Sequence, residues 1–195
     1  MLGPQAPMIA NRPRPASPVP GRKGRARPCP SVGCVQTRLA RSGDAEAMRA
    51  IYNAEVGGMT TFDLVPRSLR DQLAWLDDHA GAHRGVVAEE GGAVIGFGSL
   101  GPYRSRPAYA TTVEDSVYVH ADHRGRGVGR ALLGELVRLA TMHGFHSVIG
   151  RVVGDNQASV SLHRSCGFTL IGVENQVGRK LGRWLDVAVM QRLLA

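Results

Sequence analysis

Arg124-Gly125-Arg126-Gly127-Val128-Gly129-Arg130 joins two stretches of different hydrophobic period. Upstream, Thr111–Val119 alternates as a strand. Glu114, Ser116 and Tyr118 share one face; Asp115, Val117 and Val119 share the other. Downstream, Leu132, Leu133, Leu136, Leu139 and Ala140 fall on one buried face of a helix from about Gly127 to His143. Glycines at the junction let the backbone turn without a Cβ clash and come close to a ligand. The free N–H groups of the helix start attract an anion, helped by the helix dipole. Arginines add bidentate phosphate contacts. A pyrophosphate is the natural guest. The P-loop is excluded, because no Gly-Lys-[Ser/Thr] ending follows. The dinucleotide fingerprint is excluded too, because the glycines are spaced G-x-G-x-G and not G-x-G-x-x-G.

Working outward, the periodicity predicts an ordered set of elements. Gln36–Leu39 reads as a short strand. Asp44 stands where it can cap a helix running to about Glu55, and Ser68 caps another through Asp78 with Leu69, Leu73 and Leu76 inward and Trp75 beside them. Between these helices lies Gly57–Pro66, a loop long enough to suggest function. Val86–Glu89 and Ala93–Leu100 flank the turn Glu90-Gly91-Gly92. Gly101–Pro107 is a second irregular loop. Ser147–Val153 is a strand, Gln157–Ser165 a helix stopped by Gly167, and Phe168–Val177 with Trp184–Leu193 a closing antiparallel pair around the loop Gly178–Arg183. The expected fold is α/β (α+β): a mixed sheet of about seven strands with helices on both faces.

Charge divides the chain unevenly. Six of the 24 basic residues (Arg12, Arg14, Arg22, Lys23, Arg25, Arg27) lie in residues 1–36, which hold no acid. The other 18 face 16 acidic residues, so the net charge of +8 belongs mainly to this Pro- and Arg-rich segment. Residues 1–36 are expected to be a disordered extension, either a basic arm or a segment without a role, and 37–195 the folded domain. A near-neutral domain argues against a nucleic-acid-binding core. No run of 18 apolar residues marks a membrane span. Cys29, Cys34 and Cys166 imply no disulfide framework and no metal site, so a cytoplasmic location is the default expectation.

A second segment stands thirty residues beyond the glycine turn. It reads Asn156-Gln157-Ala158-Ser159-Val160-Ser161-Leu162-His163-Arg164-Ser165-Cys166-Gly167-Phe168. Arg124–Gly129 resembles the R-x-x-G-x-G pyrophosphate motif of the GNAT superfamily of N-acetyltransferases. Asn156–Phe168 is similar to that family's N-x-x-[A/S]-x-x-L-[Y]-x-x-x-G-F pattern. Order and spacing agree, and the resemblance covers about residues 37–195. Within the superfamily the sequence looks most like the phosphinothricin and methionine sulfoximine acetyltransferases. The segments that carry this are Ile51-Tyr52-Asn53, Thr60–Asp63, Arg104–Tyr109, Thr112–Val119 and Gly182–Val187. Ala110 and Thr111 depart from the Arg-His often found there, and Gly57-Gly58-Met59 is unusual in the first substrate loop.

The resemblance implies acetyl-CoA as co-substrate, no metal, a homodimer, and a small amino acid-like acceptor. Another amine (a plain amino acid, a polyamine or a peptide terminus) and a non-catalytic acyl-CoA-binding module are the alternatives. Val117, Tyr118 and Val119 are then expected along the pantetheine arm. Arg124, Gly125, Arg126, Gly127, Val128, Gly129 and Arg130 would hold the pyrophosphate, with Asn156, Ser159 and Ser165 nearby. Glu114 is the candidate general base, since a carboxylate in an apolar strand needs a partner or a task. An ion-pair partner is the other reading of Glu114, and Asp115 is the weaker candidate. His163 takes the position of the family's tyrosine, either as acid or thiolate stabiliser or as a packed helix residue. Arg104 and Arg106 suit a carboxylate, with Phe62 and Tyr109 as pocket walls.

Overall fold

A computed structural model describes residues 35–153 and 155–194. The expectations for residues 1–34, with Cys29 and Cys34, lie outside the described residues. Val35 packs against the larger core, and Gln36 opens the first strand. In chain order the elements are β1 Gln36–Leu39, α1 Ala45–Val56, α2 Leu69–Asp78, β2 Gly85–Glu90, β3 Ala93–Pro102, β4 Thr112–Val119, α3 Val128–Met142, β5 Ser147–Val153, α4 Gln157–Ser165, β6 Thr169–Lys180 and β7 Arg183–Leu193. The strands form one sheet in the order β1-β2-β3-β4-β5-β7-β6. Every neighbouring pair is antiparallel except β4 and β5. That parallel pair needs a crossover, which α3 supplies. The mixed seven-stranded sheet agrees with the expected architecture.

Strand alternation sends side chains into two separate cores. On one face Val86, Ala88, Ile95 and Val113 pack with Leu132, Leu133, Leu136 and Val160 of α3 and α4. On the other, Val87 and Phe97 pack with Met48, Ile51 and Tyr52 of α1. α3 lies close to the sheet because β3 carries Gly96 and Gly98. A Cβ at Gly96 would stand 3.1 Å from Leu132, and one at Gly98 3.0 Å from Leu136. This close seating fixes the start of α3 beside the end of β4.

Three local expectations change. Leu69 and Leu73 are exposed, and α2 turns Gln72, Trp75 and Leu76 inward. Both triplets have helical spacing. The observed phase wins because it half-buries the Trp75 ring, edge-on to Phe97 at 6.0 Å. Asp44 does not cap α1 through its side chain. Its carboxylate accepts instead from the Arg41 N–H at 2.8 Å and from Arg38 at 2.7 and 2.9 Å. The six-residue loop expected at 178–183 shrinks to Leu181-Gly182, with φ of 47° and 77°. Two positive φ angles make a turn that matches strand twist, so pairing continues to Lys180 and Arg183.

Candidate active site

β4 and β5 pair only from Thr112 and Ser147 to Asp115 and Gly150. Beyond that point β4 stays with β3 as far as Val119, and β5 stays with β7 as far as Val153. The two strands splay, and a cleft of about 560 Å³ opens between them. Val117, Tyr118 and Val119 form one wall, with Arg151, Val152 and Val153 opposite. Splayed strands leave backbone N–H and C=O groups facing the gap, and such groups pair with an amide-bearing ligand.

The glycine turn closes one end of this cleft. Gly125 and Gly127 have φ of 72° and 84°, a region that side chains disfavour. The first helical bond of α3 runs from the Ala131 N–H to the Gly127 carbonyl. The N–H groups of Val128, Gly129 and Arg130 are therefore the free donors of the first turn. Gly129 is needed for another reason: a Cβ there would press to 3.0 Å from Leu162 of α4. Gly125, Gly127, Val128, Gly129, Arg124 and Arg130 all line the cleft. Arg126 is directed elsewhere, with its guanidinium on Glu90 at 2.8 and 3.0 Å. Arg124 lines the cleft while pairing with Glu55 and donating to the Val119 carbonyl at 3.1 Å.

α4 contributes Asn156, Ser159, His163 and Ser165 to the same cleft. Asn156 Oδ1 accepts from the Ser159 N–H at 3.0 Å and so caps the helix, leaving its amide NH₂ as the group for a ligand. Ser165 Oγ donates to the Leu162 carbonyl at 2.7 Å. His163 is buried, and both ring nitrogens face oxygen. Nδ1 donates to the Ser159 carbonyl at 2.8 Å, and Nε2 lies 3.2 Å from Asp115 Oδ2. Burial alone would lower the imidazole pKa, but the bond and charge of Asp115 and the Ser159 carbonyl outweigh it, so the net shift is upward. The two oxygen neighbours thus favour the charged imidazolium more than burial alone would allow. Gly150 makes room for the pair, since a Cβ there would lie 2.6 Å from His163. Asp115, weighed from sequence as a base, is the partner of His163. No spacing rule joins residues 48 positions apart; only the parallel register of Asp115 with Gly150 does.

Glu114 faces the opposite side of β4. It borders a smaller cavity of about 230 Å³ with Arg67, Trp75, His79, Ser116 and Tyr118. Burial raises its pKa; Asp115 and Glu174 push the same way, while Arg151 and Arg104 oppose. None of the four expected substrate residues lines this cavity. Arg104, Arg106 and Tyr109 line a separate open hollow with Ser105. Tyr109 rests edge-on against Tyr103 at 5.6 Å, and Phe62 lies against Gly178 of β6. Neither ring walls the Glu114 cavity. Arg67, His79 and Ser99 do, and sequence reasoning missed them. Arg67 sits between the long loop and the Ser68 cap, and that placement was the only signal available. Among the described residues no group of three His, Cys, Asp or Glu side chains is placed to hold a metal ion, and no helix is long and apolar enough to cross a membrane.

The profile of the acetyltransferase (GNAT) family matches residues 46–168. The chain belongs to this family. This GNAT chain is 41% identical over 161 residues to the L-amino acid N-acyltransferase MnaT of Escherichia coli (strain K12), spanning 79% of the chain and 91% of that relative. It is 40% identical over 159 residues to the L-methionine sulfoximine/L-methionine sulfone acetyltransferase of Pseudomonas paraeruginosa, spanning 79% and 91%. A GNAT superfamily phosphinothricin acetyltransferase from Sinorhizobium meliloti, solved in complex with AcCoA, shares the fold at a TM-score of 0.79 and 39% identity, over 83% of this chain and 89% of that one.

Proposed function

We propose that this GNAT acetyltransferase moves the acetyl group of acetyl-CoA onto the α-amine of a small amino acid-like acceptor, such as phosphinothricin or methionine sulfoximine or sulfone. One observation carries the reading. β4 separates the large cleft from the small cavity, Ser116 and Tyr118 border both, and Glu114 stands on the cavity side. The co-substrate fits the cleft: the free N–H groups at the start of α3 suit its pyrophosphate, and the splayed strand edges suit its pantetheine amides. When bound, it supplies an activated thioester. Glu114 takes the proton from the acceptor's ammonium group, directly or through one water, and its raised pKa makes it a better base near neutral pH. Arg104 and Arg106 hold the acceptor's α-carboxylate. His163, already bonded at both nitrogens, lines the cleft beside the thiol end.

The outer strand β6 supports a homodimer. Leu170, Ile171, Val173 and Val177 are exposed along it, with Trp184 on β7. An uncovered apolar edge strand is a surface that a second copy would bury. Sedimentation should give twice the chain mass, and a monomer at micromolar concentration would remove this part of the proposal.

A thiol-release assay with acetyl-CoA tests the reaction. Phosphinothricin, methionine sulfone, plain amino acids and polyamines are compared. Release should depend on an acceptor that carries both an amine and a carboxylate. Release with polyamines alone would overturn the acceptor class.

A further inference from the structure

The cavity beside Glu114 contains one guanidinium, that of Arg67. Its backbone is clamped from both sides. The Arg67 N–H donates to Asn53 Oδ1 at 2.8 Å, and its carbonyl accepts from Asn53 Nδ2 at 2.9 Å. The preceding loop is tied down at its far end, where buried Lys180 donates to the Thr61 carbonyl at 2.6 Å. The side chain is equally constrained. Its guanidinium carbon lies 3.6 Å from the centroid of the Tyr52 ring and 5.7 Å from that of Trp75. Asp63 approaches it only to 3.6 Å and also accepts from the Tyr52 hydroxyl. A guanidinium has five N–H donors in a fixed fork. Stacked on Tyr52 and loosely paired, this one keeps donors for a ligand.

The charges around the cavity are sorted by position. Arg104, which lines the separate hollow, is near enough to act on Glu114. Arg67 acts instead on Tyr52, Tyr118 and His79. His79 adds no second cation: burial lowers its pKa, and its Nδ1 donates to the Trp75 carbonyl at 2.7 Å. An acceptor's α-carboxylate is one carbon from its amine, so it belongs at the Glu114 and Arg104 end. Its side-chain terminus is several bonds further on, toward Arg67. A volume of about 230 Å³ suits a molecule of amino acid size.

We propose that Arg67 is the specificity residue for the acceptor's side chain, selecting amino acids that end in an anionic group such as a phosphinate over those that end in a neutral sulfone. This rests on the acceptor reading above and narrows it. Charge-assisted bonds to a bidentate oxyanion are the stronger class, and removing one such partner lowers affinity by roughly ten- to a hundredfold.

The test is kcat/KM for phosphinothricin and for methionine sulfone, in the wild type and in Arg67→Gln and Arg67→Lys. The wild type should prefer phosphinothricin. Arg67→Gln should lower the phosphinothricin-to-sulfone ratio by about ten- to a hundredfold, mainly through KM. Arg67→Lys should recover part of it, since it restores the charge without the fork. Equal losses on both acceptors, or an unchanged ratio, would overturn the role of Arg67 alone. A wild type that acetylates neither compound would overturn the acceptor reading and this inference together. Should Arg67→Gln unfold, the ratio in Arg67→Lys decides: a value equal to the wild type's overturns the proposal.

Discussion

Gly150→Ala is the sharpest perturbation that the geometry offers. The added methyl would sit 2.6 Å from both Cδ2 and Nε2 of His163 and 3.1 Å from Asp115 Oδ1. Carbon contacts settle at about 3.5–4.0 Å, so the ring must retreat by roughly 1 Å. It has no free direction. Nδ1 is held at 2.8 Å by the Ser159 carbonyl, and Phe168 stands edge-on at 5.1 Å. The weaker bond, 3.2 Å from Nε2 to Asp115, is the one that breaks. Overpacking of this kind costs about 1–3 kcal/mol. Separating a buried pair costs more, about 3–5 kcal/mol when one charge loses its partner outright. Relief of glycine's chain entropy returns only about 0.5–1 kcal/mol. A net loss of about 3 kcal/mol is expected, which lowers Tm by roughly 6–12 °C in a domain of this size. Gly134→Ala on α3 is the control, because nothing lies within 4 Å of the added methyl. It should be neutral or slightly stabilising. Thermal unfolding by circular dichroism separates the two. A Gly150→Ala protein that melts with the wild type would refute the packing argument. In the double variant with His163→Ala, the losses should be less than additive.

Further outcomes follow from the same geometry. Glu114→Gln should lower kcat/KM by about 10²–10⁴-fold while acetyl-CoA affinity stays close to wild type, as read by a pH-rate series and by titration. In the wild type the acid limb should lie above the usual carboxylate value of about 4.3. Arg151→Met should move that limb higher still, because Arg151 opposes the rise; a limb that stays put separates Glu114 from the rate. The raised pKa of His163 means that its pair with Asp115 stabilises fully below about pH 6.5, and the contribution is lost as pH rises through the raised value. The difference in unfolding free energy between wild type and His163→Gln should therefore shrink as pH climbs; a difference that grows would reverse the assignment. Gly127→Trp should abolish acetyl-CoA binding in a calorimetric titration, since φ of 84° strains any side chain and the indole would cover the free N–H groups. Retained binding would place the pyrophosphate elsewhere.

What could be read from the sequence was local. The glycine turn, the cap at Ser68 and the alternation of β4 all depend on near neighbours, and the structure has them where spacing put them. Phases and partners were harder. α2 had two equally good helical phases, and only packing against Phe97 chose between them. Asp115 and His163 meet through strand register, which composition does not encode. Arg126 belongs to a motif that promises phosphate, but Glu90 lies within reach of its guanidinium and holds it. Arg67 follows a loop of no regular period, so its place in the cavity that Glu114 borders appears only in three dimensions. The cofactor side of the site was legible because it is built from contiguous residues. The acceptor side was not, because four separate segments assemble it.

In the proposed reaction a bound acetyl thioester and an α-amine meet at Ser116 and Tyr118, with Glu114 as base. Mass spectrometry of the acceptor after incubation with acetyl-CoA tests it most directly. One acetyl group should be found on the α-amine of phosphinothricin, formed by the wild type and nearly absent with Glu114→Gln. An unmodified acceptor alongside consumed thioester would rule out this reaction.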